Sequence, residues 1–246
     1  MTLSTDNSAT IADHTMVGVL GGMGPDATVA FMQKVIEVTP GEDDIDHVHM
    51  LVDNNPKVPS RIKALIDGDG ESPAPAIAAM ARRLEQAGCD FLVMPCNTAH
   101  YYWSAAQQAV DIPVWHIVER TLDRVAAEMP GARVGMLCSP ALRKIGLYEG
   151  FIEPRGLSLV YPDNEDRVLD VIRAVKRGAG RAPPTRAAFI EAAHDVQARG
   201  ADVLVLACTE LSVIRDALDG RVPIIDTVQV LAEDVVAAAT GKAPRG

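Results

Sequence analysis

Two cysteines with matching sequence surroundings are the residues of this chain best suited to chemistry. Cys96 and Cys208 each follow a short apolar run that begins after a glycine, which is the pattern of a buried parallel strand. Open parallel sheets place their ligand sites beyond the carboxyl ends of their strands. A thiol can hold or release a proton near neutral pH, so both cysteines are candidate reactive groups.

The match between these two stretches is part of a longer internal repeat. It predicts an α/β fold of two pseudo-symmetric domains, each with a mostly parallel sheet flanked by helices. If the domains face each other about an approximate two-fold axis, the two cysteines approach one cleft from opposite sides, and the active site lies between the domains. Three pairs of segments recur in the same order: 17–20 with 134–137, 88–96 with 200–208, and 112–116 with 222–226.

The repeat also predicts where the domains begin and end. The first domain combines residues 1–112 with residues 224–246, and the second domain spans residues 113–223. The final helix, predicted over residues 228–239, packs back on the first domain, which makes that domain discontinuous in sequence. Residues 1–14 are rich in Ser, Thr and Asp, and we expect them to form a loose tail.

Charge and composition limit the partners. The chain of 246 residues carries a net charge of −10, whereas a nucleic-acid site needs a basic stripe, and none is visible. No apolar stretch reaches the length of a membrane span, and the N-terminal segment lacks the features of a signal peptide. The four cysteines show neither a CxxC pair nor metal-ligand spacing. We therefore expect a cytoplasmic protein with reduced thiols, no metal, and no nucleic-acid or membrane partner.

A glycine-rich turn at residues 21–25 joins an apolar strand to a segment with helical periodicity. Backbone N–H groups at such a helix start can bind an anion. Gly22, Gly24 and Ala27 also satisfy the dinucleotide-binding fingerprint, with Asp53 after the next strand as its ribose-binding acid. A third interpretation is a turn that only lets the helix pack on the strand.

Four segments of the chain resemble one known family. They are VGVLGGMGP at 17–25, NNPKVPSR at 54–61, MPCNTAH at 94–100 and ACTEL at 207–211. Together they resemble the aspartate/glutamate racemase family, most closely its aspartate racemase branch. The chain departs from the family pattern in two places, with Cys-Ser-Pro at 138–140 where a Thr-rich turn is common, and Leu231 where a His is common.

The resemblance implies a racemase without pyridoxal phosphate or another cofactor, commonly a homodimer, that acts on an acidic amino acid. Aspartate is the first expectation, and glutamate or a related amino acid the next. By this likeness Cys96 and Cys208 are the catalytic acid/base pair, and Arg61 and Lys176 are the cations for the side-chain carboxylate of the substrate. The remaining substrate-binding residues would be Met23, Gly24, Asn97, Thr98, Ser139, Thr209 and Glu210.

Two thiols suit this chemistry because inversion removes a proton from one face of a carbon and delivers one to the other face. A thiolate and a thiol on opposite sides exchange roles when the opposite enantiomer binds. Helices predicted directly after Cys96 and Cys208 would lower the pKa of both thiols. Without an electron sink, the carbanion must be stabilised by donors around the α-carboxylate and by exclusion of water.

Several residues and the function itself keep alternative interpretations. Cys89 and Cys138 are expected to serve packing, and Lys176 could merely complement a helix dipole. Residues 178–184 could form a lid. His100, His116 and Asp226 are expected to be structural. The alternative functions are an isomerase or decarboxylase of a related carboxylic acid, and a dinucleotide-binding or regulatory protein.

Overall fold

The computed structural model describes residues 15–218, residue 220 and residues 222–244. The predicted loose tail, residues 1–14, lies outside the described residues. Within those residues no helix is long and apolar enough to cross a lipid bilayer. The elements follow one another as β1 (Met16–Gly21), α1 (Pro25–Val38), β2 (His49–Asn54), α2 (Ala74–Gln86), β3 (Phe91–Val93), α3 (Trp103–Gln107), α4 (Ile117–Glu128), β4 (Arg133–Leu137), α5 (Pro140–Lys144), α6 (Glu149–Ile152), β5 (Ser158–Val160), α7 (Glu165–Lys176), α8 (Pro183–Ala198), β6 (Val203–Leu206), α9 (Thr209–Ser212), β7 (Ile224–Asp226) and α10 (Thr227–Thr240).

Two parallel sheets with the same internal order form the two halves of the fold. The first has the order β2-β1-β3 and the second the order β5-β4-β6-β7. The register repeats as well, since Val17 lies opposite Phe91 in the first sheet and Val134 lies opposite Val203 in the second. The predicted α/β fold with two mostly parallel sheets and flanking helices is therefore confirmed.

The aspartates shared by the two cysteine stretches perform the same task in both halves. Asp90 accepts a hydrogen bond from the backbone N–H of Met16 at 2.7 Å, and Asp202 accepts one from the backbone N–H of Arg133 at 2.8 Å. The aspartate N–H groups donate back to the carbonyls of the same two residues. Each aspartate thus clamps the start of its cysteine strand to the start of the central strand, which fixes the register.

The glycines before these aspartates are also required by the backbone. Gly88 and Gly200 have φ angles of 93° and 89°, a left-handed region that other residues rarely adopt. A side chain at Gly200 would in addition meet the guanidinium of Arg133. The repeat seen in the sequence is therefore a repeat of turn geometry at the entry to each cysteine strand.

The main apolar core lies between the two sheets. Its fully buried side chains include Val17 of β1, Phe31 of α1, Leu122 of α4, Val205 of β6 and Val235 of α10. Three amphipathic or apolar helices, α1, α4 and α10, supply much of this core. Burial of their apolar faces holds the two sheets together.

Two helices cross between the halves. Helix α10 contacts α1 and β1, and helix α4 contacts β7 and α6. The strands that precede these helices stay in their own sheets, because Val114 forms a parallel bridge to Leu92 and β7 pairs with β6. The predicted domain boundaries, at 112/113 and at 223/224, lie immediately before these two segments.

The glycine turn is closed by contacts within the protein. The Gly22 N–H donates to Thr28 Oγ1 at 2.9 Å, and a side chain at Gly22 would collide with the backbone of Asn55. Asp53, the acid that a dinucleotide would need for its ribose, forms an ion pair with Arg83. These contacts support the interpretation of a packing turn. They also engage the Gly22 N–H and the Asp53 carboxylate, two groups that the dinucleotide interpretation requires to be available.

Candidate active site

Cys96 and Cys208 line one cavity between the two halves, with a volume of about 60 Å³. They reach it from opposite sides, because Cys96 follows β3 of the first sheet and Cys208 follows β6 of the second. Of the eleven predicted site residues, all except Gly24 line this cavity. The structure thus provides the shared cleft that the internal repeat predicts.

The segment after Cys96 is held by a buried histidine. Cys96 is followed by a 3₁₀ helix, Asn97–Tyr102, which leads directly into α3, so a helical segment is present where it was predicted. His100 Nε2 accepts a hydrogen bond from the Ile117 N–H at 3.2 Å, so its proton lies on Nδ1, which donates to the Cys96 carbonyl at 2.9 Å. Burial lowers the pKa of His100 to about 4. A neutral imidazole therefore fixes the backbone at Cys96, in agreement with a structural role.

The residue after each cysteine forms a hydrogen bond across the interface between the halves. Asn97 Nδ2 donates to Thr227 Oγ1 at 2.9 Å, and Asn97 Oδ1 accepts from the Tyr148 hydroxyl at 2.6 Å. Thr209 Oγ1 donates to the carbonyl of Pro95 at 3.0 Å. All of these groups except the Pro95 carbonyl belong to side chains that are at least 97% buried. We call the five residues the interface latch, because they set how the two cysteine strands face each other.

The thiol of Cys208 has a carboxylate partner. Its Sγ donates a hydrogen bond to Glu210 Oε2 at 2.9 Å, and the other oxygen of Glu210 lies 3.4 Å from Lys176 Nζ. Burial first and the Glu210 charge second raise the pKa of Cys208. The expectation that a helix start would lower this pKa is wrong, because α9 has only four residues and both opposing effects are stronger.

Arg61 brings a positive charge to the mouth of the cavity. Its Nη1 donates to the carbonyls of Pro59 at 3.1 Å and Val58 at 3.4 Å, which are neutral acceptors, and no carboxylate among the described residues forms an ion pair with it. The neighbours Ser60 and Ile62 also line the cavity. Lys176, by contrast, already has an anionic partner in Glu210.

The other predicted site residues differ in the chemical groups that they bring to the cavity. Met23 is buried in the cavity wall, and a side chain at Gly24 would lie 3.9 Å from Glu210 Oε1, so the glycine turn borders the site. Ser139 begins α5 and accepts a hydrogen bond from the backbone N–H two residues later. The hydroxyls of Ser139 and Thr98 line the cavity as donors for a ligand.

Sequence reasoning missed part of the site. The interface latch depends on Tyr148 and Thr227, for which no sequence spacing gave a signal. The segment proposed as a lid, residues 178–184, contributes Gly178, Gly180 and Arg181 to a separate groove. Four residues line the cavity without having been predicted: Ser60, Ile62, Ile172 and Ala207.

The remaining candidates have structural surroundings. Cys89 and Cys138 are buried in apolar clusters, and burial raises the pKa of both thiols. Asp226 caps α10 by accepting a hydrogen bond from the Val228 N–H at 2.9 Å. Among the described residues, no three His, Cys, Asp or Glu side chains converge to hold a metal ion.

The sequence as a whole matches a known family. A profile of the Asp/Glu/Hydantoin racemase family matches residues 20–235. The chain belongs to this family. The broad specificity amino-acid racemase RacX of Bacillus subtilis (strain 168) is 30% identical over 225 residues, which cover 90% of this chain and 96% of the relative.

One solved structure and one further relative by sequence extend this comparison. The structure of Picrophilus torridus aspartate racemase matches with a TM-score of 0.84 and 31% identity, covering 94% of this chain and 96% of that chain. A glutamate racemase of Persephonella marina (strain DSM 14350 / EX-H1) is 28% identical over 149 residues, 60% of this chain and 56% of the relative. Because these relatives are named for different specificities, family membership alone does not fix the substrate.

Proposed function

We propose that this protein is an amino-acid racemase that uses no cofactor and interconverts enantiomers with two thiols. The observation that carries the proposal is that Cys96 and Cys208 line one small cavity from opposite halves of the fold. A carbon bound between them would present one face to each sulfur.

In the proposed reaction one cysteine is a thiolate and the other a thiol. The thiolate takes the proton from Cα, so a C–H bond breaks and an S–H bond forms, and the electron pair remains on the substrate. The thiol then gives its proton to the opposite face of Cα. The hydroxyls of Thr98 and Ser139 are the donors best placed to stabilise charge that develops on the α-carboxylate, since Asn97 and Thr209 are engaged in the interface latch.

We propose an acidic amino acid as substrate, with aspartate first and glutamate or a related amino acid next. Arg61 supports this choice because its charge is free to pair with a second carboxylate, while Lys176 is shared with Glu210. The small cavity supports the shorter side chain. The same proposal includes a homodimer located in the cytoplasm.

The alternative within the same kind of fold is an isomerase or decarboxylase of a related carboxylic acid. One reactive cysteine suffices for many such reactions, whereas the present cavity holds two. Racemisation is the reaction that uses both.

The test is an assay of the purified protein without pyridoxal phosphate, in which chiral chromatography follows each enantiomer of aspartate, glutamate and a neutral panel. We expect interconversion of both aspartate enantiomers to an equal mixture. No interconversion of any amino acid, together with turnover of another carboxylic acid, would contradict the proposal.

A further inference from the structure

Charge is distributed unevenly around the two thiols. Four titratable or charged side chains face Cys208: Glu210 from its own helix, Lys176 from the end of α7, and Cys96 and Arg61 from the first half. Only Glu210 accepts a hydrogen bond from the Cys208 thiol. When the two cysteine stretches are aligned, the residue that corresponds to Glu210 is Thr98, which is uncharged.

We propose that Glu210 is a positioning residue that keeps a proton on Cys208 in the free enzyme, so that Cys208 enters the reaction as the acid of the pair and Cys96 as the base. This inference rests on the proposed two-thiol function. It replaces the expectation that Glu210 contacts the substrate.

The physical reason is the contact between the thiol and the carboxylate. A Cys208 thiol donates to Glu210 at 2.9 Å, whereas a Cys208 thiolate would place two negative charges at hydrogen-bond distance in a poorly hydrated cavity. Lys176, 3.4 Å from the far oxygen, holds Glu210 in place. Burial first, and then the charge and hydrogen bond of Glu210, raise the pKa of Cys208, whereas the charge of Lys176 acts in the opposite direction.

Glu210 thereby gives the two thiols different tasks in each turnover. When Cys96 removes the α-proton, the Cys208 S–H bond breaks and the new C–H bond forms on the opposite face. The enzyme is left with a Cys96 thiol and a Cys208 thiolate beside Glu210. This form is the less stable one, so after the product leaves, Cys96 releases its proton to water and Cys208 takes a proton from water.

Alkylation of the free enzyme tests the inference without any substrate. Iodoacetamide reacts with thiolates, and peptide mass spectrometry gives the rate at Cys96 and Cys208 separately between about pH 6 and pH 10. In the wild type, we expect the Cys96 rate to rise at lower pH than the Cys208 rate. Glu210→Gln should speed alkylation of Cys208 about tenfold near pH 8, which is a shift of about one pKa unit, with little change at Cys96.

Lys176→Gln is the matched control, and its expected effect on the alkylation rate of Cys208 is opposite to that of Glu210→Gln. It removes the cation that offsets Glu210, so alkylation of Cys208 should become slower than in the wild type. Circular dichroism and thermal unfolding show whether each variant keeps its fold. Unchanged alkylation of Cys208 in a folded Glu210→Gln protein, or equal shifts at both cysteines, would overturn the inference.

The pH profile of kcat/KM provides a second test. It would not change if Glu210 had only a structural role. The acid limb should report protonation of Cys96 and the alkaline limb loss of the Cys208 proton, as values of the coupled pair. In Glu210→Gln the alkaline limb should move to lower pH while the acid limb stays, and an unmoved alkaline limb would contradict the inference. If alkylation behaves as expected but no enantiomer is interconverted, the proposed function fails and the assigned protonation state stands.

Discussion

The two halves of this protein have the same backbone plan but surround their cysteines differently. In both halves a glycine with positive φ and a clamping aspartate lead into the cysteine strand. Beyond the strand the halves diverge, since His100 holds the carbonyl of Cys96 while Glu210 holds the thiol of Cys208. The shared plan places each cysteine beyond the end of its strand, and the residues that follow the strand give the two cysteines different hydrogen-bond partners.

The largest expected effect comes from removing either thiol. Cys96→Ala and Cys208→Ala should each reduce kcat/KM at least about a thousandfold, because each direction of inversion needs both an acid and a base. Cys89→Ala is the matched control, as this buried thiol lies outside the cavity, and it should retain activity. Substantial activity in either cavity variant would show that inversion does not need both thiols.

The next effect concerns Arg61, the cation that the first half contributes to the cavity. Arg61→Ala should raise KM for aspartate about ten- to a hundredfold, because a charge-assisted contact to the second carboxylate is lost. KM for neutral amino acids should change little. Lys57→Ala removes an exposed cation from the same segment and serves as the control. Equal losses for acidic and neutral amino acids would exclude Arg61 from the side-chain subsite.

The interface latch should show a smaller effect on activity. Tyr148→Phe leaves Asn97 Oδ1 without the hydrogen bond it accepts at 2.6 Å, and an unsatisfied buried acceptor costs about 1–3 kcal/mol. We expect lower stability in urea unfolding and a kcat reduced about tenfold with KM nearly unchanged, because the two strands lose part of their alignment. A variant with lower stability but wild-type kcat would show that the latch does not position the thiols.

The smallest expected effect concerns His116, whose expected role is structural, and it is an effect on stability rather than on activity. His116 is buried among His100, Trp103 and Phe151, its Nδ1 has no hydrogen-bond partner, and burial, followed by the charges of His100 and Arg155, lowers its pKa to about 3. The neutral ring therefore stabilises the fold above its unfolded pKa of about 6.5, and this contribution is lost as the pH falls.

His116→Phe should consequently reduce the loss of unfolding free energy between about pH 7 and pH 5 by about 2 kcal/mol. Urea unfolding at both pH values measures this difference. His194→Gln, at an exposed position, is the matched control for the loss of a histidine from the surface. An unaltered pH dependence in His116→Phe would mean that this ring is not buried in its neutral form.

The sequence predicted the parts of the fold that depend on repeated local geometry. Gly88 and Gly200, with the aspartates two residues later, revealed the duplicated strand entries because turn geometry restricts residue type. The placement of Cys96 and Cys208 in one cavity followed from the two-fold arrangement of the halves.

The parts that escaped prediction depend on contacts between distant residues. Tyr148 reaches Asn97 across 51 positions, and Thr227 reaches it across 130, so no spacing rule links them. The raised pKa of Cys208 depends on burial and on the orientation of Glu210, and neither can be determined from a helix start. Arg61 and Lys176 were found through the family resemblance, but only the structure shows that Glu210 shares the charge of Lys176.

Isotope incorporation tests the central claim, that two thiols act on opposite faces of one carbon, most directly. The wild-type enzyme is given one enantiomer of aspartate in deuterium oxide and stopped after few turnovers, and mass spectrometry measures deuterium at Cα in product and recovered substrate. The account predicts a fully monodeuterated product and an unlabelled substrate, because the proton removed goes to one sulfur and the deuteron comes from the other. Product that retains the original proton, or substrate labelled as fast as product forms, would contradict it.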